Sequence, residues 1–221
     1  MPDITLSNVP DIELVYVDTA LVVANKPSGL LAVPGRGLDK QDCLSARVQA
    51  RYPDALIVHR LDMATSGLMV MARGAESQRA LSKAFAAREV NKRYVAVVAG
   101  RLDAPADEWG VIDLPIAADW PNRPLSKIDH QSGKPSVTRW RVVAYDSIGV
   151  LTRVELEPVT GRSHQLRLHM RELGHPMLGD ALYAPPEIQA LSERLLLHAA
   201  WLQLPHPDTG VACSFNSPVP F

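Results

Sequence analysis

The chain has 221 residues, of which 47% are hydrophobic and 21% charged, with a formal net charge of -1; it can bury a substantial core, and no segment is polar or repetitive enough to stay unfolded. Cys43 and Cys213 lie far apart without CxxC or Cys/His spacing, which excludes a disulfide framework and a zinc finger and leaves both as small buried hydrophobes. Met1 to Asp18 carries acids but no lysine or arginine, and no apolar run reaches membrane-spanning length, so neither a leader peptide nor a membrane anchor is expected and the chain is assigned to the cytoplasm.

In chain order, Glu13 to Val17 and Leu21 to Asn25 predict two short strands joined at Asp18-Thr19, and the turn residues of Lys26-Pro27-Ser28-Gly29 end the second. Asp42 to Tyr52 has helical periodicity and stops before Pro53, and Ala75 to Val90 predicts a longer amphipathic helix. Strands rich in β-branched and aromatic residues follow from the patterns of Gly67 to Ala72, Arg93 to Ala99, Val137 to Tyr145, Val150 to Leu156 and Leu195 to Leu204. Asp103 to Pro124 is expected as a long irregular excursion. A late helix, Ser163 to Leu173, meets stop signals in Gly174 and Pro176. The order is neither βαβ alternation nor a repeat, so the fold class is α+β: one domain with a mixed, largely antiparallel sheet flanked by helices and loops.

The neutral total conceals a polarised distribution. Arg73 to Arg101 holds seven lysines and arginines against two glutamates, while Leu102 to Trp120 holds five acids and no base. Blocks of this kind form either a solvated face or the footprint of an anionic partner.

Three segments carry candidate chemistry. His59-Arg60-Leu61-Asp62-Met63-Ala64-Thr65-Ser66-Gly67 sets a carboxylate among cationic and hydroxyl side chains in a strand-connecting loop. Asp62 there could act as nucleophile, general base or metal ligand, or simply cap the loop. Gly161-Arg162-Ser163-His164-Gln165-Leu166-Arg167 opens the late helix, where His164, Arg167 and Arg171 recur on one face beside exposed amide donors, a natural anion site. Lys92-Arg93-Tyr94 starts a strand with an aromatic ring beside two bases, suited to stacking on a nucleobase. His164 and His169 have an H-x4-H spacing but no third ligand of the usual kind, so no metal site is expected. A hydrolase pairing Asp62 with His59 or His164 lacks the G-x-S-x-G and HExxH motifs that would support it.

Together, HRLDMATSGL (His59 to Leu68), NKPSGLL (Asn25 to Leu31), KRYVA (Lys92 to Ala96) and GRSHQLRLH (Gly161 to His169) make the chain similar, in motif order and spacing, to the RluA family of RNA pseudouridine synthases. The run Asp119-Trp120-Pro121-Asn122-Arg123-Pro124 resembles the founding subgroup, which acts on both a 23S rRNA hairpin loop and tRNA anticodon loops. The resemblance implies Asp62 as nucleophile, Tyr94 as the aromatic that stacks on the target base and a candidate acceptor of its C5 proton, and Arg167 as salt-bridge partner of Asp62. It further implies that Arg60 fills the RNA stack when the uridine leaves it, with His59, Thr65, Arg162, His164, Lys92 and Arg93 as RNA-binding residues. Attack by Asp62 on C1′, attack on C6 and a glycal intermediate all remain open. No cofactor or metal is implied; the partners are 23S rRNA and tRNA stem-loops, and a monomer is expected. Fewer than about twenty residues precede the first strand, too few for the separate N-terminal S4 domain that many members carry, so RNA would be held by the catalytic domain, in a groove of Arg60, Arg73, Arg79, Lys83, Arg88, Lys92 and Arg93 with the late helix, the acidic segment facing away or shaping the cleft edge. A non-catalytic RNA-binding module of the same fold would have no use for this particular aspartate.

Overall fold

Asp18 turns the chain at its first hairpin: its Oδ1 accepts the amides of Ala20 at 2.7 Å and Leu21 at 2.8 Å, which sets β1 (Leu14–Val17) antiparallel to β2 (Leu21–Lys26). The computed structural model describes residues 12–103 and 109–221. The elements that follow are α1 (Leu44–Arg51), β3 (Ala55–Ile57), β4 (Ser66–Arg73), α2 (Gly74–Ala86), β5 (Asn91–Ala99), β6 (Gly110–Asp113), β7 (Ile116–Ala118) and β8 (Ser126–Ile128). Then come β9 (Val137–Tyr145), β10 (Leu151–Pro158), α3 (Gln165–Glu172), α4 (Pro186–Gln189), β11 (Leu197–Pro205) and β12 (Ala212–Asn216). No helix among the described residues is long and apolar enough to cross a membrane.

One sheet organises the molecule in the order β1-β2-β4-β11-β5-β10-β9-β6, with β12 added to β11 and β3 to β4, while β7 and β8 form a separate hairpin. Its pairings are antiparallel except β4 with β11, which run parallel through Ser66↔His198 and Gly67↔Ala199. This is the expected α+β fold with a mixed, largely antiparallel sheet.

β2 and β4 are buried on both faces, which is why LVVANK and SGLMVMAR read as continuous apolar runs. Val22, Ala24, Met69 and Met71 enter the main core with α1 and α3, whereas Leu21, Val23, Leu68 and Val70 meet Leu81 and Ala84 of α2. A register shift between Ala199 and Trp201 lets β11 serve both: Leu197 and Ala199 join the first core, Leu202 and Leu204 the second. β5, β9 and β10 are buried on one face only, and their outer face carries an ion-pair ladder of Arg93, Glu157 and Arg139.

The acidic stretch is more ordered than its prolines suggest. Gly110–Asp113 pairs with β9 as the sheet edge, because the indole of Trp140 lies where a side chain at position 110 would project, and Ile116–Ala118 pairs with β8; residues 104–108 of that stretch lie outside the described residues. Helix ends differ in a telling way. α3 stops at Gly174 (φ 89°), with His175 N–H bonded back to Met170 O at 2.9 Å, as its glycine predicts. α2 stops four residues short of the expected Val90 by the same motif: Arg88 takes the left-handed position at φ 61°, and Glu89 N–H returns to Ala84 O at 3.0 Å.

Candidate active site

Asp62 lies in a turn closed by Thr65 N–H bonding to Asp62 O at 3.2 Å, just ahead of β4. The NKPSG segment clamps this turn from behind. Lys26, fully buried, donates to the carbonyls of Pro27 at 2.9 Å, Leu30 at 2.7 Å and Met63 at 2.9 Å, and Ser28 Oγ donates to Ala64 O at 2.7 Å. Burial pulls the Lys26 ammonium down to about 7 against the opposing charge of Asp62. Sequence inspection placed Lys26 in a motif but gave it no task; a lysine at a strand end followed by Pro-Ser-Gly was the available signal.

The sheet then brings Tyr94 to Asp62. Ala199 of β11 pairs with Gly67 on one side and Tyr94 on the other, so the strand following the Asp62 turn and the strand carrying Tyr94 are both registered on one residue. Gly67 is at φ 112°, and a Cβ there would stand 2.4 Å from Ala199 O, so glycine is needed for the two backbones to meet. Burial, aided by the Asp62 charge, raises the Tyr94 pKa, so the ring is a neutral phenol.

α3 supplies the cations. Gln165 is buried and ties the preceding turn to β9: its Oε1 accepts from Thr160 Oγ1 at 2.8 Å and Arg162 N–H at 3.0 Å, and its Nε2 donates to Val137 O at 3.0 Å. This delays the helix start from the expected Ser163 to Gln165. Arg167, 4% exposed, is held bidentately by Asp180, Nε to Oδ2 at 2.8 Å and Nη2 to Oδ1 at 2.5 Å, and turns Nη1 to Asp62 Oδ2 at 3.4 Å. Burial opposes the Arg167 charge, but Asp180 and Asp62 outweigh it and raise its pKa. Asp62 is thus oriented by a guanidinium whose charge is chiefly engaged by Asp180. Asp180 was missed in the sequence because it lies thirteen residues beyond Arg167 in an unpatterned loop.

Asp62, Tyr94, Arg167, Arg60, His59, Thr65, Arg162, His164 and Lys92 line one cleft of about 630 Å³, together with Arg88, a size suited to a nucleotide. His59 is there as a neutral group. Burial and the Lys92 charge lower it to about 3; its ring stacks on Phe85 at 4.7 Å and its Nε2 accepts Val70 N–H at 3.0 Å. It thereby fills the gap in the sheet where the neighbour of β4 changes from β11 to β3.

Arg93 is not brought to the cleft. As the strand neighbour of Tyr94 it points to the opposite face, pairing with Glu157 at 2.9 Å and lying over the Trp201 ring. The expected basic groove also loses Arg73, which pairs with Asp54 at 3.1 Å, and Arg79, which pairs with Glu76 at 3.9 Å; neither these nor Lys83 line the cleft. No described residue of 109–120 lines it either. His169 is spent inside the fold, on Thr138 Oγ1 at 2.9 Å and Leu114 O at 3.1 Å. Among the described residues no group of three or more His, Cys, Asp or Glu is placed to hold a metal.

Residues 20–172 match the family model described as RNA pseudouridylate synthase. The chain is 48% identical over 212 residues to the dual-specificity RNA pseudouridine synthase RluA of Escherichia coli (strain K12), covering 96% of this chain and 95% of that one. Its identity to the protein of the same name from Yersinia pestis is 48% over 208 residues, covering 94% and 99% of the two chains. Among solved structures, human RNA Pseudouridylate Synthase Domain Containing 1 superposes with a TM-score of 0.77 at 28% identity, covering 96% of this chain and 84% of that one. The chain belongs to the RNA pseudouridylate synthase family and is an isomerase that converts uridine in RNA to pseudouridine.

Proposed function

We propose that this enzyme modifies uridines in both a 23S rRNA hairpin loop and tRNA anticodon loops, as a cytoplasmic monomer, with Asp62 as its nucleophile. The observation that carries the reading is Asp62, one-fifth exposed and the one carboxylate among the described residues that line the cleft with Tyr94 and Arg167. The uridine must leave its stack to reach it, and Arg60, exposed at the cleft, is the cation suited to fill the vacancy. Tyr94, a neutral phenol, supplies a flat face for the base. Whether Asp62 adds to C1′, adds to C6 or drives formation of a glycal, the C1′–N1 bond opens, the uracil rotates, C1′–C5 forms, any bond to Asp62 is released, the C5 proton leaves and N1 ends protonated. Atoms and electrons are conserved, so the chemistry calls for no redox group. Dual specificity is supported by the 48% identity to relatives named for it. The test is pseudouridine formation in an isolated anticodon stem-loop and in a 23S hairpin fragment: both should react, and an inert stem-loop beside a reactive long rRNA fragment overturns the dual assignment.

A further inference from the structure

His164 enters the cleft from a left-handed backbone, φ 57° and ψ 16°, immediately ahead of α3, a conformation that residues with side chains seldom occupy and that gathers at functional sites. Its two ring nitrogens then face different partners. Nδ1 is 2.8 Å from the hydroxyl of Tyr183, and Nε2 is 3.9 Å from Oδ1 of Asp62. Tyr183 is itself fixed: it is buried, its oxygen accepts Ser126 N–H at 2.8 Å, and its ring lies under the guanidinium groups of Arg167 and Arg171. A phenol has one proton to give. Given to Nδ1, it leaves a buried hydroxyl satisfied as both donor and acceptor; were Nδ1 the donor instead, the phenolic hydrogen would lose this partner, at a cost that buried polar groups rarely bear.

We propose that Tyr183 and His164 form a positioning pair for Asp62: Tyr183 donates its hydrogen to Nδ1, so the uncharged imidazole carries its hydrogen on Nε2 and presents it to Oδ1 while Arg167 holds Oδ2. The pair rests on Asp62 being the nucleophile. At 3.9 Å the uncharged N–H is beyond hydrogen-bond length and steers the carboxylate as a dipole without cancelling its charge; an imidazolium beside Arg167 would give Asp62 a second ion pair and blunt its attack. The groups around His164 are Asp62 and Asp180, which favour its protonation, and Arg167 and Arg60, which oppose it together with burial; burial is the largest influence and the net direction is downward. His164 is therefore neutral at neutral pH and charges as the solution is acidified.

The experiment is kcat and KM against pH for wild type, His164→Gln and Tyr183→Phe, on an anticodon stem-loop carrying C5-tritiated uridine, with thermal melts to confirm folding. The amide of His164→Gln keeps an N–H donor near the position of Nε2 but does not titrate. With that donor kept, its kcat at pH 8 should stay within roughly fivefold of wild type, the value of at most one hydrogen bond, and the acid limb of the wild-type profile should move to lower pH. Tyr183→Phe removes the donor that favours neutral His164, so its acid limb should move to higher pH. KM should stay near wild type in both. A wild-type acid limb in His164→Gln, or a rise in KM with kcat untouched, overturns the proposal and leaves His164 as an RNA contact. His164→Gln decides the matter alone if Tyr183→Phe does not fold. Loss of activity in Asp62→Asn is a separate observation, so the nucleophile can stand while this pair falls.

Discussion

A buried arginine flanked by two carboxylates must divide its donors, and Arg167 gives two to Asp180 and one longer contact to Asp62. Removing Asp180 redirects the guanidinium toward Asp62 and leaves a buried charge short of its partner. Asp180→Asn should cost about 3 kcal/mol or more, seen as a fall of roughly 10 °C in melting temperature for a chain of this size, and kcat should drop more than KM rises. A melting temperature and kcat both within error of wild type would remove Asp180 from the account. His59 makes a prediction of a different sign. Its folded pKa of about 3 lies below its ordinary 6.5, so the unfolded chain binds the proton first, and stability is lost as pH falls from 6.5 toward 3. His59→Gln, which keeps an acceptor for Val70 N–H without titrating, should flatten that loss in melts at pH 7, 6, 5 and 4. The flattening is partial, because His198, lowered by burial to about 4, acts in the same direction. At this scale the sequence made Asp62, Tyr94 and Arg167 legible because each sits in a compact motif. It hid Asp180 and Tyr183, which meet Arg167 and His164 only when the loop after α3 folds back under it, and it did not show that Arg93 leaves the cleft, because neighbouring strand residues face opposite sides.

The central elements meet under a tight steric condition. Gly67 and Tyr94 both register on Ala199, and a methyl group on Gly67 would stand 2.6 Å from Ala199 N and 2.4 Å from Ala199 O, so there is no room for one. Gly67→Ala should therefore destabilise by at least about 3 kcal/mol, and because the Asp62 turn feeds directly into this pairing, catalysis in the surviving folded protein should drop as well. Chemical denaturation and single-turnover rates measure the two effects; a fully stable, fully active Gly67→Ala would mean that β4 and β11 are not held this closely. The main strands were legible from β-branched runs and alternation, and α3 from Gly174. Three-residue strands such as β3, β7 and β8 were not, because their pairing is set by partners remote in sequence. The end of α2 was not either, since Arg88 occupies a left-handed position that usually announces itself as glycine.

For the whole molecule, a net charge of -1 coexists with an RNA substrate because the sign of the charge is sorted in space. Arg60, Arg88, Lys92 and Arg162 line the cleft, while Arg73, Arg79 and Arg93 are engaged with acids elsewhere. Bulk charge therefore said little about the partner, and the block of bases from Arg73 to Arg101 only part of the truth, since secondary structure sends alternate members to different faces. What unifies the cleft is Asp62, placed by the clamp of Lys26, the register of β4, β11 and β5, and the guanidinium of Arg167. The direct measurement is tritium release from C5-labelled uridine in an anticodon stem-loop by wild type and by Asp62→Asn, with melts showing both folded. Wild type should release the label as pseudouridine forms, and Asp62→Asn should be slower by at least roughly a thousandfold, as expected for loss of a nucleophile; release by Asp62→Asn at a rate near wild type would contradict the account.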